Sequence, residues 1–138
     1  MITVDASVWI AMPDKADVFH APSMRFGQCL QQRGLALFGP AFVVVETGCA
    51  IARKRRDGAK GAAAAATLWR ISTLRLVDGD SDLLALSLKV GTESFLRSSD
   101  ALYAATAERT SSQLVTWDVD QLKRAGVRTP SAWLAANL

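Results

Sequence analysis

Short apolar runs alternate with longer helical patterns along most of this 138-residue chain. A strand that leads into a helix and then into another strand favours a parallel sheet, with the helices as its connections. Because such connections are nearly always right-handed, helices are expected on both faces of the sheet. The sequence therefore predicts an α/β fold with a mainly parallel central sheet.

Four short runs are predicted as strands, at residues 2–4, 35–38, 74–77 and 114–117. Residues 41–45 fit either element, since a proline can begin a helix whereas a run of three valines favours a strand. Helices are predicted at 22–32, 47–56 and 119–124, and through the alanine-rich stretch that leads to residue 71. Capping residues predict three more helices. One begins at Ser81 and ends at Gly91, and the next is capped by Ser98 or Ser99. The last begins at Thr129 and Pro130.

Half of the residues are hydrophobic and 21% are charged, which is typical of a single globular domain over residues 1–138. The longest nearly unbroken apolar stretch, 35–45, is far shorter than the roughly 20 residues that span a bilayer. The N-terminus carries an acidic residue, Asp5, and no basic leader with a cleavage site. A cytoplasmic protein is therefore expected.

Few residues are available for chemistry that uses histidine or cysteine. His20 is the only histidine and has no nucleophile motif beside it, so zinc sites with two or three imidazoles are not expected. Cys29 and Cys49 are too few and too far apart for a metal cluster, and both are expected to be buried free thiols. No glycine-rich phosphate-binding motif occurs. Hydrolytic chemistry must therefore rest on carboxylates.

Four acidic residues lie where a parallel sheet would bring them together. Asp5 directly follows the first strand and Asp118 the last, and parallel sheets bind ligands beyond these carboxyl ends. Asp100 lies in the first turn of a helix, and Glu46 interrupts the apolar run AFVVVETGCAIA. Each aspartate is also explained as a helix cap or first-turn acid. Burial of Glu46 would be costly unless it pairs with a base such as Arg53 or binds a metal.

Converging carboxylates repel one another, by about 4 kcal/mol for two unit charges 4 Å apart at an effective dielectric constant near 20. A divalent cation relieves this repulsion, and all-oxygen sites suit Mg²⁺ or Mn²⁺, which also bind substrate phosphates. Such an ion lowers the pKa of bound water, so that hydroxide forms without a histidine. The predicted chemistry is metal-assisted hydrolysis of a phosphodiester.

Four motifs in order resemble the PIN-domain nucleases, in particular the VapC toxins of bacterial and archaeal toxin–antitoxin modules. They are VDAS at 4–7, the glutamate in VVVETGCAIARKRR, SSDALYAATA at 98–107 and LVTWDVD at 114–120. The resemblance implies a three-layer α/β/α sandwich with Glu46 on a helix, and a Mg²⁺- or Mn²⁺-dependent endoribonuclease. We expect its substrate to be single-stranded or loop RNA. The resemblance also implies a homodimer, and a VapB-like antitoxin whose C-terminal segment brings a basic residue near the acids.

The resemblance also implies roles for individual residues. Asp120 is left as an alternative to Asp118, although it is also explained as a first-turn acid of the following helix. Two other functions stay open, a non-catalytic RNA- or protein-binding module and a nuclease for RNA processing or DNA that has no antitoxin. The implied metal-binding and catalytic acids are Asp5, Glu46, Asp100 and Asp118, with Glu46 acting directly or through water, and the hydroxyl groups beside them belong to Ser7 and Thr116.

A basic run follows Glu46 on the same predicted helix and comprises Arg53, Lys54, Arg55 and Arg56. These residues are expected to contact RNA phosphates, which would give a salt-dependent and sequence-independent part of the affinity. The alternative is a solvated helix end, where cations suit the helix dipole.

Overall fold

The computed structural model describes residues 1–138 and contains one four-stranded sheet. The strands are β1 (Ile2–Val4), β2 (Leu37–Pro40), β3 (Leu74–Val77) and β4 (Gln113–Val115). Their order in the sheet is β3-β2-β1-β4, and every neighbouring pair is parallel. The predicted parallel α/β fold is confirmed.

Eight helices connect and cover these strands. They are α1 (Ala6–Ala11), α2 (His20–Arg33), α3 (Phe42–Arg55), α4 (Gly58–Arg70), α5 (Ser81–Ser94), α6 (Ser98–Arg109), α7 (Val119–Leu122) and α8 (Pro130–Asn137). Helix α6 packs against β1, β2 and β4, and α5 packs against α6. Helix α3 packs against β2 and α1, and α4 packs against α3. With helices on both faces, the fold is a three-layer α/β/α sandwich.

The ambiguous segment 41–45 belongs to helix α3. Val43 and Val44 are buried whereas Val45 is 56% exposed, so the three valines show the burial pattern of a helix rather than a strand. Strand β2 begins two residues later than predicted, and β4 ends two residues earlier. Helix α1 was not predicted, because six residues are too few to show a helical period.

Two predicted helix boundaries between α5 and α6 are wrong. Helix α5 continues past Gly91 to Ser94, and Phe95 takes the left-handed conformation at its end. Gly91 serves packing instead, since a Cβ there would lie 3.0 Å from the Cβ of Ala101 in α6. Ser98 is the first residue of α6 rather than its cap, and Arg97 before it makes no side-chain capping bond.

The core lies between the sheet and its helices. All three residues of β1 are buried, and Phe26 and Trp133 meet edge to face with their ring centres 5.3 Å apart. Cys29 is buried as predicted, but Cys49 is exposed, so the prediction of two buried thiols is wrong for one of them. None of the helices has the length and apolar character that a membrane span requires.

Candidate metal centre at the carboxyl edge of the sheet

The carboxyl ends of two neighbouring strands, β1 and the edge strand β4, bring the predicted acids to one place. Val4 of β1 is in register with Val115 of β4, so Asp5 follows one strand directly beside the end of the other. The Asp5 backbone N–H donates to the Val115 carbonyl at 3.0 Å. Asp100 reaches this edge from the first turn of α6, and Glu46 reaches it from α3.

Asp5 is only 4% exposed and accepts three hydrogen bonds. Its Oδ2 accepts from the Ser7 backbone N–H at 3.0 Å and from the Thr116 hydroxyl at 3.1 Å. Its Oδ1 accepts from Nε2 of Gln121 at 3.2 Å. These donors satisfy the buried carboxyl group, because hydrogen bonds offset the loss of water.

The two predicted hydroxyl residues form one chain of hydrogen bonds that ends on Asp5. The single proton of the Thr116 hydroxyl goes to Asp5, while its oxygen accepts from the Asp118 backbone N–H at 2.9 Å. The Ser7 hydroxyl therefore donates to Thr116, at 3.3 Å, and accepts from the Trp117 N–H at 3.0 Å. Both hydroxyl groups orient the Asp5 carboxylate.

Asp100 and Asp118 share one guanidinium group. Arg97 donates through Nε to Asp100 at 3.3 Å and through Nη2 to Asp118 at 3.1 Å, and its side chain is 72% exposed. The other oxygen of Asp118 caps α7 by accepting from the Asp120 and Gln121 backbone N–H groups, each at 3.0 Å. Asp118 therefore joins Asp100 through a shared partner.

Asp120, the alternative to Asp118, is differently placed. It is exposed, and its carboxylate pairs with Lys123 at 3.1 Å on the surface of α7. Its carboxylate makes no hydrogen bond to the groups that bind Asp5, Asp100 or Asp118, and only its backbone N–H contacts Asp118. The geometry therefore favours Asp118 as the fourth acid.

Glu46 is half-buried and has neither an ion pair nor a hydrogen bond. Burial, followed by the negative charges of Asp5 and Asp100, raises the pKa of Glu46 to about 7. The buried Tyr103 hydroxyl approaches this carboxyl but has no hydrogen-bond partner. Arg53, the partner considered from the sequence, makes no ion pair with Glu46. Glu46 thus adds a group that changes charge near neutral pH beside the two aspartates.

Burial also raises the pKa of Asp100, and the charge of Asp118 acts in the same direction, against the opposing effect of Arg97. The cluster therefore holds four carboxyl groups and a single cationic side chain. This excess of negative charge is what a divalent cation would neutralise.

The residues at this edge fit Mg²⁺ or Mn²⁺. As the side chains stand, no three acidic residues are close enough to coordinate one ion, because the Gln121 amide and the Arg97 guanidinium lie between them. Carboxylate, amide and hydroxyl oxygens, without imidazole or thiolate, form the kind of donor set that these hard cations prefer. The buried Oε1 of Gln121, which has no donor, adds an unsatisfied oxygen at the same place.

The basic run is not brought to the acids as a group. Lys54 pairs with Asp14 at 2.6 Å and with Asp17 at 3.4 Å, and Arg55 approaches Asp14 at 3.5 Å. These contacts tie the end of α3 to the segment that follows α1. The other two basic side chains of the run, Arg53 and Arg56, are exposed and make no ion pair.

Three residues of the site were missed by the sequence analysis, namely Arg97, Tyr103 and Gln121. Each stands three residues from one of the predicted aspartates, the spacing at which helical neighbours meet. This three-residue spacing is the one feature of the sequence from which they could have been predicted. Because it is shared by many helix residues that have no such contact, it does not single them out.

The fold and the acidic edge define a class of protein. The pattern of the PIN domain matches residues 2–127, and the chain belongs to the PIN-domain family. No curated protein matches the sequence.

Solved structures of similar fold include toxins and their complexes. VapC20 of Mycobacterium tuberculosis, described as a sarcin–ricin loop cleaving toxin, is 23% identical, with 92% of this chain and 97% of that chain covered and a TM-score of 0.75. A toxin–antitoxin complex from Klebsiella pneumoniae is 20% identical, with 94% and 98% covered and a TM-score of 0.69. VapBC2 from Rickettsia felis, bound to a DNA fragment from its promoter, is 14% identical, with 94% and 97% covered and a TM-score of 0.69.

Proposed function

We propose that this protein is a metal-dependent endoribonuclease and the toxin of a toxin–antitoxin module. The observation that carries the proposal is the acidic edge, where four carboxyl groups lie beside only one cationic side chain, the exposed Arg97. Membership of the PIN-domain family and the toxins among the structures of similar fold support it.

In the proposed site, Asp5 and Asp100 hold Mg²⁺ or Mn²⁺, and Glu46 and Asp118 complete the acidic surroundings. The ion would supply an activated water and would stabilise charge on the phosphodiester. Ser7 and Thr116 keep the Asp5 carboxylate in one orientation. Glu46, with a pKa of about 7, can accept a proton near neutral pH.

Surface charge and the structures of similar fold support the proposed substrate and partners. The exposed Arg97 would contact a substrate phosphate, and the unpaired Arg53 and Arg56 would add contacts along a single-stranded RNA. VapC20, by its description, cleaves the sarcin–ricin loop, which supports an RNA substrate. Two of the neighbours are in complexes with antitoxins, which supports a VapB-like antitoxin here, and we further propose a homodimer.

Cleavage of structured and unstructured RNAs by the purified protein tests this function. Cutting is expected with Mg²⁺ or Mn²⁺ and not with EDTA. Asp5→Asn and Asp100→Asn are expected to reduce cutting to the EDTA background while leaving circular dichroism unchanged. Asp120→Asn, which removes an exposed carboxylate of the same motif, is the matched control and should retain activity.

Cutting at the wild-type rate by either the Asp5 or the Asp100 variant would contradict the site. A folded, partner-free protein that neither cuts RNA nor takes up metal in calorimetry would contradict the nuclease and support the non-catalytic binding module.

A further inference from the structure

Gln121 is a fully buried amide inside the acidic cluster. Its Nε2 donates to Oδ1 of Asp5 at 3.2 Å and to Oδ1 of Asp100 at 3.3 Å. Its own Oε1 is buried and has no hydrogen-bond partner. Burial of a carbonyl oxygen without a donor is unfavourable, so such an atom in a folded protein calls for an explanation.

The backbone of Gln121 is held firmly in this position. Asp118 caps α7 and accepts the Gln121 backbone N–H at 3.0 Å, which fixes where the side chain begins. The amide group then lies between the two aspartates, each of which comes from a different element. Only the final torsion of the side chain decides whether nitrogen or oxygen faces them.

We propose that Gln121 is a fifth residue of the cation site. In the metal-free protein its Nε2 holds Asp5 and Asp100 together, and in the metal-bound protein the amide turns over so that Oε1 is an oxygen ligand. The inference rests on the proposed function, because it needs a divalent cation at these two aspartates. An N–H group facing a cation would be repelled, whereas the oxygen that now lacks a partner would gain one.

The spacing of the three atoms suits this role. Mg²⁺ binds six oxygens at about 2.1 Å, so neighbouring ligand atoms of an octahedron lie about 3.0 Å apart. A half-turn of the amide would put Oε1 where Nε2 now stands, 3.2 Å and 3.3 Å from the two carboxylate oxygens. The amide would also add an oxygen without adding charge to a cluster whose acids already repel one another.

Mn²⁺ binding to the full chain tests the proposal. Gln121→Met keeps the length of the side chain and removes both polar atoms. Gln113→Met is the matched control, since the Gln113 side chain bonds only the Gly126 carbonyl. Affinity is measured by isothermal titration calorimetry and by electron paramagnetic resonance of free Mn²⁺. We expect Gln121→Met to weaken Mn²⁺ binding by about tenfold or more and to lower the Tm in EDTA, and Gln113→Met to leave Mn²⁺ affinity unchanged.

The two ways of failing are distinguishable. If the Gln121 variant binds Mn²⁺ as tightly as the wild type or more tightly, the amide only fills the metal-free site, and the inference is wrong while the nuclease proposal stands. If the wild type binds no Mn²⁺, the proposed metal dependence fails together with the inference.

A crystal structure of the wild-type protein with Mn²⁺ decides the question even where the variant does not fold. The expected result is the Gln121 Oε1 within bonding distance of the anomalous peak of the ion. An amide still donating to both aspartates beside a bound ion would overturn the proposal.

Discussion

Replacement of Glu46 by glutamine in the metal-free protein is expected to stabilise the fold, with a gain that grows as the pH rises above 4.5 and is complete above about pH 7. Glu46 makes no ion pair or hydrogen bond, and burial with the charges of Asp5 and Asp100 raises its pKa to about 7 from the ordinary value of 4.5. Glutamine has the same shape and no charge, so it removes the repulsion and loses no contact. The variant therefore isolates the electrostatic cost of this carboxylate.

The sign follows from proton binding. Between pH 4.5 and about 7 the folded state keeps a proton on Glu46 that the unfolded state has already lost, so the free energy of unfolding falls as pH rises. The destabilisation is complete above pH 7 and absent below pH 4.5. A shift of about 2.5 units corresponds to roughly 3.4 kcal/mol, and since the carboxyl group is only half-buried we expect about 1–2 kcal/mol after screening by solvent.

Urea denaturation in EDTA at pH 4.5, 6 and 8 measures this effect. The Glu46→Gln variant should exceed the wild type by about 1–2 kcal/mol at pH 8, which corresponds to a Tm higher by roughly 3–8 °C, and should match it at pH 4.5. Glu93→Gln is the control, because Glu93 is exposed and unpaired, and its effect should not change with pH. An equal gain at all three pH values, or no gain at pH 8, would refute the electrostatic account of Glu46.

Three further predictions concern packing, RNA contact and a helix end. Gly61→Ala should destabilise the protein by about 1–3 kcal/mol in urea denaturation, because a Cβ there lies 2.6 Å from the Cβ of Ala52 on α3; Gly58→Ala, which meets nothing within 4 Å, should not. In filter binding to single-stranded RNA over a range of salt concentrations, Arg53→Ala should reduce the salt slope by about 0.7, whereas an unchanged slope would exclude a phosphate contact. Phe95→Gly should raise the free energy of unfolding by about 1 kcal/mol, since Phe95 is 93% exposed at a φ of 56°; a loss of stability would show that its ring packs usefully.

Much of the fold could be predicted because parallel strands leave a simple mark on the sequence. Each strand is a short apolar run, and the connecting helices are long enough to show caps or a period. Segment 41–45 could not be decided locally, since the valines favour a strand and only packing of α3 on the sheet selects the helix. The prediction that a helix ends at Gly91 was wrong, because a glycine that permits close packing of two helices looks the same in sequence as one that ends a helix.

Some residues of the candidate site could likewise be predicted from the sequence, and others could not. Asp5 and Asp118 could be predicted because Asp5 directly follows β1 and Asp118 lies shortly after the end of β4, and the sheet brings the ends of neighbouring parallel strands to one edge. Glu46 and Asp100 stood out because acids in apolar or first-turn positions need an explanation. Gln121 could not be found, because a neutral amide near the end of a chain is usually a surface residue, and only the tertiary structure reveals its complete burial.

The acids have different hydrogen-bond partners on the buried and on the exposed side of the cluster. This difference indicates from which side a cation or a phosphate would enter. Asp5 is bound by neutral donors from Thr116 and Gln121, both fully buried, so water or an ion cannot approach it from within. Asp100 and Asp118 are held instead by Arg97, whose side chain is 72% exposed. A cation or a phosphate is therefore expected to reach the cluster on the Asp100 and Asp118 side, where the exposed Arg97 is the paired cation.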